Sequence, residues 1–124
     1  MKAIVCKTYG PPENLALEEI DDPIAAENEA VVQIYSASLN FPDGLQIQGK
    51  YQVQPPMPFT PGSEVGGIIT AVGTGIQGFA VGDRVMATPG IGGLAEQVAV
   101  KADGLRKIPD SMDFKTAAGF AMIY

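Results

Sequence analysis

Apolar residues alternate with polar or small residues along much of this chain, a spacing typical of β-strands rather than of helices. The alternation predicts strands over residues 1–7, 15–20, 30–39, 64–72, 84–87, 95–100 and 105–108. Glycines and prolines concentrate between these short segments, as they do in small barrels and sandwiches. We therefore expect a mainly β fold, built as a small barrel.

The segment 64–72 is the most informative of these strands. Val65 and Ile69 lie on one face, Ile68 and Val72 lie on the other, and both faces are largely apolar or tiny. The strand also contains the adjacent glycines 66 and 67, which weaken a strand on their own. Such glycines usually mark a bulge, or a place where another backbone or a ligand comes close. This pattern is typical of a β-barrel wall.

Gly73, Gly75 and Gly78 follow that strand with the G-x-G-x-x-G spacing of a dinucleotide fingerprint. The fingerprint binds phosphate only where its glycines open a helix and an acidic residue follows about 20 positions later. Here the next segments are again strand-like. We interpret the glycines as a turn.

Two segments carry helical signals. Pro42 suits the first turn of a short helix, which Gly49 can end. Asp113 can cap a second helix, whose apolar residues 114, 117, 118, 121 and 122 follow a helical stripe. The sequence stops inside this helix without a glycine cap or a basic last turn. We expect the 124 residues to be cut from a longer protein.

Composition limits the partners and the chemistry. The chain is 46% hydrophobic and 18% charged, enough for one domain with a sizeable core. Its net charge is -6 and its eight basic residues are scattered, so nucleic acid and membrane surfaces are not expected partners. No stretch approaches the length of a transmembrane span.

Cys6 is the one cysteine in the sequence, and there is no histidine. An internal disulfide, a Cys/His zinc site and a histidine general base are therefore impossible. We expect Cys6 to be a small core residue, and the cysteine usage fits a reducing, cytoplasmic location.

Several stretches together resemble one family over the whole chain. They are NFPD, GKY, PFTPGSEVGG, VGTGIQGFAVGDRV, GGLAEQVAV and IPDSMDFKTAA. In this order and spacing they resemble the zinc-independent quinone oxidoreductases of the medium-chain dehydrogenase/reductase superfamily. The resemblance implies a GroES-like (alcohol dehydrogenase-like N-terminal) β-barrel over residues 1–112, with short helices and a truncated C-terminal helix. Residues 113–124 would begin the helix leading to a Rossmann domain that is absent here.

The resemblance also bears on metals. Zinc alcohol dehydrogenases have a cysteine where this chain has Asn40, and a His-Glu pair where it has Ser63 and Glu64. It therefore implies a metal-free site without zinc. Asp43 and Glu64 could act as acid or base, but we favour structural hydrogen bonds for both.

Asn40 and Tyr51 are the candidate site residues. In the family, the residue matching Asn40 lies near the nicotinamide, and the residue matching Tyr51 lines the substrate cleft. Asn40 ends an apolar strand at a proline turn, and its neutral amide can both donate and accept hydrogen bonds. We expect Asn40 to serve catalysis and cofactor binding, and Tyr51 to serve catalysis, although Tyr51 could equally be a packing residue.

The implied function is NADP(H)-dependent hydride transfer to a quinone or another conjugated carbonyl (enone). We expect the fragment alone to be inactive and to bind no cofactor. It would need the Rossmann domain of its own chain, and the full-length protein is a candidate homodimer. Two alternatives stay open: an enoyl thioester reductase of the same superfamily, and a non-enzymatic GroES-like structural module such as a co-chaperonin-like ring.

Overall fold

The computed structural model describes residues 1–50 and 55–123, and the side chains within them apart from those of residues 41, 42 and 120–123. Its strands are β1 (Lys2–Val5), β2 (Ala16–Glu19), β3 (Glu29–Ser38), β4 (Glu64–Val72), β5 (Arg84–Ala87), β6 (Gln97–Lys101) and β7 (Leu105–Lys107). Its α-helices are α1 (Phe41–Ile47) and α2 (Phe114–Ile123). Each strand overlaps one of the seven predicted segments, and β4 has the predicted bounds.

Five strands form one antiparallel sheet in the order β6-β3-β4-β5-β7. The two edge strands, β6 and β7, are joined by the single 3-10 turn Ala102–Gly104. Since so short a connection cannot span the width of a flat five-stranded sheet, the sheet must curl until its edges meet. The mainly β, GroES-like barrel expected from the sequence is confirmed.

The core fills the inside of this curled sheet. It is a cluster of aliphatic side chains contributed by all five strands: Ala30, Val32, Val65, Ile69, Val85, Ala87, Val98, Val100 and Leu105. Phe79, in the loop before β5, packs against the same cluster. The burial of these side chains removes apolar surface from water, which is the main stabilising contribution to a domain of this size.

The β3–β4 ladder contains two irregularities, so strict alternation along residues 30–39 was wrong. The register shifts between Val31 and Val32, and again between Ile34 and Ser36. The second shift leaves Tyr35 unpaired opposite the adjacent glycines of β4, as expected of a β-bulge. At the first shift the extra residue is Thr70 of β4, which lies between the partners of Val31 and Val32. Both valines are buried.

Gly66 and Gly67 lie where other backbone comes close, as the sequence predicted. A methyl group at Gly67 would collide with the carbonyl oxygen of Gln33. A methyl group at Gly66 would lie 2.7 Å from the carbonyl oxygen of Phe114 and 3.3 Å from the Ala117 side chain. The glycines therefore allow both β3 and α2 to approach β4 closely.

The G-x-G-x-x-G stretch is a turn, as interpreted. Gly75 and Gly78 have φ values of +86° and +81°, which suit turns, and the next strand or helix along the chain is β5. The turn is held to the start of β3 by a 2.7 Å hydrogen bond from the Asn28 N–H to the Thr74 carbonyl. No helix opens at these glycines to receive a phosphate.

Strands β1 and β2 form a separate two-stranded sheet against the barrel. The Ile4 N–H donates to the Leu94 carbonyl at 2.8 Å, and Cys6 pairs with Phe59 through two backbone hydrogen bonds. Cys6 is only 1% exposed, which confirms its expected place in the core.

Helix α2 begins as predicted, because the Asp113 Oδ1 accepts a hydrogen bond from the Thr116 N–H at 2.7 Å. Its buried Ala117 and Ala118 pack against β3, β4 and β5. That residues 1–112 form one domain and residues 113–124 lead to another stays a prediction. None of the helices described is long and apolar enough to cross a membrane.

Candidate functional site

The candidate site lies at the junction between β3 and α1. Asn40 has an extended backbone (φ -122°, ψ 161°) and is the N-cap residue of α1. Its backbone N–H donates to the Asp43 Oδ2 at 3.0 Å, and the two residues form a capping box. A proline follows within the first turn, where its missing N–H costs nothing.

The C-terminal end of α1 is also fixed by local hydrogen bonds. Gly49 has φ +73°, its N–H donates to the Gln46 carbonyl, and the Lys50 N–H donates to the Leu45 carbonyl at 2.9 Å. This pair of bonds is a Schellman motif, in which a left-handed residue satisfies the last helical carbonyls. A helix of only two turns is thereby held at both ends, and it keeps its first residues in a defined place.

Asn40 and Asp43 lie in the wall of a pocket of about 430 Å³. The rest of its described wall is almost entirely apolar. Its larger side chains come from β1, the loop after it, the junction between β3 and α1, α1 itself and two later loops: Ile4, Leu15, Leu39, Ile47, Pro61 and Leu94. A pocket of this size and composition suits a small, flat, uncharged molecule held by few hydrogen bonds. Leu39 is 76% exposed at this site.

The Asn40 side chain is half-buried and has a defined neighbour. Its Nδ2 donates to the Ser38 Oγ at 3.2 Å. The same Ser38 Oγ lies 2.9 Å from the Ala118 carbonyl of α2 and 3.5 Å from the Glu64 Oε2. One hydroxyl thus connects the pocket, the terminal helix and a carboxylate that is 1% exposed.

Asp43 and Glu64 are both buried. The Asp43 Oδ2 accepts a structural hydrogen bond from the Asn40 N–H, as favoured from the sequence. The Asp43 Oδ1 and the Ser63 Oγ are buried without a hydrogen-bond partner. Burial of an unpaired polar atom costs free energy, so such atoms are uncommon in protein interiors. The unpaired Asp43 oxygen belongs to the same pocket wall as Asn40, which is in keeping with a functional site.

Ser36 and Ser38 were not singled out from the sequence. Ser36 Oγ donates to the Phe114 carbonyl, and Ser38 Oγ donates to the Ala118 carbonyl one helical turn later. Two residues along a strand and four along a helix advance by nearly equal distances, about 6.7 and 6.0 Å. The paired residues are 78 and 80 positions apart in the chain, so no local sequence signal could have found this pairing.

Tyr51 lies outside the described residues, so its predicted role stays a prediction. Among residues 1–50 and 55–123, no group of three cysteine, histidine, aspartate or glutamate side chains is arranged to hold a metal ion. The expectation of a metal-free site likewise stays a prediction.

Comparison with known proteins supplies the family. The alcohol dehydrogenase GroES-like domain matches residues 26–110. A relative from Nematostella vectensis, quinone oxidoreductase-like protein 2 homolog, is 35% identical over 99% of this chain and 34% of its own length.

Solved structures give the same result. The human synaptic vesicle membrane protein VAT-1 homolog-like protein has a TM-score of 0.95 and 35% identity, over 98% of this chain and 40% of that one. The Escherichia coli quinone oxidoreductase, solved with NADPH, has a TM-score of 0.91 and 30% identity, over 97% of this chain and 37% of that one. The chain thus spans between 34% and 40% of the length of these proteins. It belongs to the alcohol dehydrogenase GroES-like domain family, with relatives among the quinone oxidoreductases of the medium-chain dehydrogenase/reductase superfamily, which confirms the resemblance drawn from its sequence.

Proposed function

We propose that this chain is the N-terminal, substrate-side domain of an NADPH-dependent oxidoreductase that reduces a quinone or another conjugated carbonyl. In this proposal, residues 113–124 lead into a Rossmann domain of the same protein, and the pocket beside Asn40 is one wall of the cleft between the two. The relatives named quinone oxidoreductase and the structures solved with NADPH support it.

The observation that carries the proposal is the position of Asn40. A neutral amide held at a helix N-cap, in the wall of a mostly apolar pocket, can bind a carbonyl or a carboxamide without bringing a charge. Apart from the Asp43 carboxylate, which accepts from the Asn40 N–H, the described wall is uncharged, and this suits both an apolar ring and a neutral oxygen.

The residues present fit a nicotinamide ring and its carboxamide. Ile47 and Pro61 offer apolar surface, and Asn40 offers the amide. NADPH, when bound, supplies the hydride. The chain's own contribution is to orient the two reactants through Asn40 and to exclude water through the apolar wall, which is positioning rather than acid-base chemistry.

An enoyl thioester reductase is the alternative enzyme. The thioester carriers of such substrates bear phosphate groups, which are normally bound by cationic side chains. Among the described residues that line the pocket, none is a lysine or an arginine, and one is an aspartate. The pocket therefore favours a small neutral acceptor. The non-enzymatic GroES-like structural module, the homodimer and the cytoplasmic location stay predictions.

NADPH oxidation in the presence of tetramethyl-1,4-benzoquinone tests the proposal. This quinone has no free ring position, so it cannot arylate Cys6 or the lysines. The assay compares the product of the complete reading frame containing these 124 residues with the 124 residues alone. We expect quinone-dependent oxidation by the first and none by the second. A reading frame that ends at residue 124, or a longer product that leaves NADPH unchanged with quinones and enones, would remove the proposal.

A further inference from the structure

The Ser38 hydroxyl has three polar neighbours but only one proton to donate. It lies 3.2 Å from the Asn40 Nδ2, 2.9 Å from the Ala118 carbonyl and 3.5 Å from the Glu64 Oε2. A serine hydroxyl has one proton and two acceptor lone pairs, so it can donate to only one of the two oxygens at a time. The carbonyl at 2.9 Å is at normal hydrogen-bond length and the carboxylate at 3.5 Å is not, so the proton goes to Ala118.

The side-chain amide of Asn40 is thereby fixed. With its proton given to Ala118, the Ser38 Oγ can only accept, and the Asn40 atom facing it must be the donor Nδ2. A flipped amide would set the Asn40 Oδ1 against the lone pairs of Ser38. The orientation of an asparagine amide is normally ambiguous, but here the Ser38 hydroxyl decides it together with the capping box, in which the Asn40 side chain accepts from the Asp43 N–H.

We propose that Ser38 is a positioning residue: it orients the Asn40 amide in the pocket wall and links that orientation to the placement of helix α2. This inference concerns the same pocket as the proposed function. Only the statement that the Asn40 orientation serves the reaction rests on that function. The geometric link itself does not depend on it.

The link to α2 has a specific mechanical basis. The helix is pressed against β4 at Gly66, where a methyl group would lie 2.7 Å from the Phe114 carbonyl. The Ser36 hydroxyl donates to that same carbonyl, and Ser38 donates to the Ala118 carbonyl one turn on. Of these contacts to the α2 backbone, only the one made by Ser38 also reaches Asn40. A shift of α2 therefore reaches the pocket through Ser38.

The test is NMR of the Asn40 side-chain amide in the 124-residue chain, which contains only two other asparagines, 14 and 28. Ser38→Ala removes the acceptor of the Asn40 Nδ2, so we expect the Asn40 side-chain resonances to shift and their exchange with solvent to become faster. Ser38→Thr keeps the hydroxyl and should restore both. Ser36→Ala is the matched control, because it removes a contact to α2 without touching Asn40.

A purely structural role for Ser38 gives a different outcome. Loss of a contact to α2 would then change the Asn40 signals equally in Ser36→Ala and Ser38→Ala, or in neither, and either result overturns the inference. If Ser38→Ala does not fold, the wild-type chain decides. Its Asn40 side-chain amide must exchange more slowly than that of exposed Asn28, and equal rates refute the hydrogen bond.

Gly66→Ala tests the link to the helix. The added methyl group displaces α2 at Phe114, so it should shift the Asn40 signals in the wild-type background and lose that effect in the Ser38→Ala background. An equal shift in both backgrounds would show that the displacement reaches Asn40 by another route. None of these measurements depends on NADPH turnover. Failure of the proposed function and failure of this inference can therefore be distinguished.

Discussion

Individual residues at the two ends of the chain show how local chemistry fixes the fold. Asp113 caps α2 from an exposed position, and the hydrogen bond from the Thr116 backbone N–H to its carboxylate lowers the pKa of Asp113 below the usual value. The carboxylate also lies at the positive end of the helix dipole. Both effects stabilise its charged form.

The pH dependence of α2 follows from that lowered pKa. The stabilisation is fully present above the ordinary pKa of an aspartate, and it is lost as the pH falls through the lowered pKa of the folded state. Chemical-shift titration of the Asp113 carboxyl should therefore give a midpoint below that of an unstructured aspartate. Asp113→Asn keeps a capping oxygen and should remove the acid-dependent loss, whereas Asp113→Ala should weaken the helix at every pH. A normal midpoint for Asp113 would refute the cap.

Cys6 provides a second test at the residue scale. It is 1% exposed, and burial raises the pKa of its thiol. Because the thiolate is the reactive form, both effects slow reaction with Ellman's reagent. We expect native chain to react at least about a hundredfold more slowly than unfolded chain, since reaction requires opening of the structure. The single cysteine makes the rate unambiguous, and rapid native reaction would show that the β1 region is not packed on the barrel.

At the scale of secondary-structure elements, the contact between β3 and β4 depends on the absence of a side chain at Gly67. A methyl group there would collide with the Gln33 carbonyl, which belongs to the backbone and cannot rotate away. Gly67→Ala should therefore lower the midpoint of urea unfolding sharply or prevent folding.

Gly44→Ala is the matched control for that substitution. Gly44 lies within α1, and a methyl group there would meet nothing within 4 Å. Alanine in a helix is favoured over glycine by roughly 0.5–1 kcal/mol, so this variant should be at least as stable as the wild type. Equal losses from both substitutions would mean that the close approach of β3 to β4 does not limit stability.

At the scale of the whole molecule, one core inside the curled sheet supports the site. Ile69 is fully buried in that core, whereas Ile24 is 85% exposed. Ile69→Ala should cost about 2–5 kcal/mol in the free energy of unfolding, a large part of the total for a single domain. Ile24→Ala should change it by less than about 0.5 kcal/mol. Urea unfolding monitored by circular dichroism gives both values, and similar losses would contradict the assigned core.

The sequence predicted those parts of the molecule that depend on neighbours in the chain. Strand β4 was found with its bounds because alternation and the glycine pair both lie within it. The Gly49 end of α1 and the Asp113 cap of α2 were predicted for the same reason, whereas the Asn40 cap of α1 was not. Alternation along β3 failed because the bulge at Tyr35 depends on the glycines of β4, which lie about thirty residues later.

The site was predictable only in part, because its geometry is set by distant contacts. Asn40 could be chosen from its strand end and its proline turn, but its pocket is completed by Ile4 and Leu94, far away along the chain. Ser38 donates to a carbonyl 80 residues away, and no local sequence pattern indicates that contact. Secondary structure and caps are local properties, whereas hydrogen bonds between distant strands and helices require the assembled fold.

The most direct test of the central claim is the effect of Asn40→Ala on quinone reduction by the longer protein. If Asn40 orients the reactants, its removal should lower kcat/KM for NADPH-dependent reduction of tetramethyl-1,4-benzoquinone by about three- to tenfold or more, the value of a net hydrogen bond. Gln77→Ala, which removes an exposed amide from the turn after β4, should leave the rate unchanged. Equal kcat/KM values for the Asn40→Ala variant and the wild type would contradict the claim that this pocket is the substrate side of the reductase.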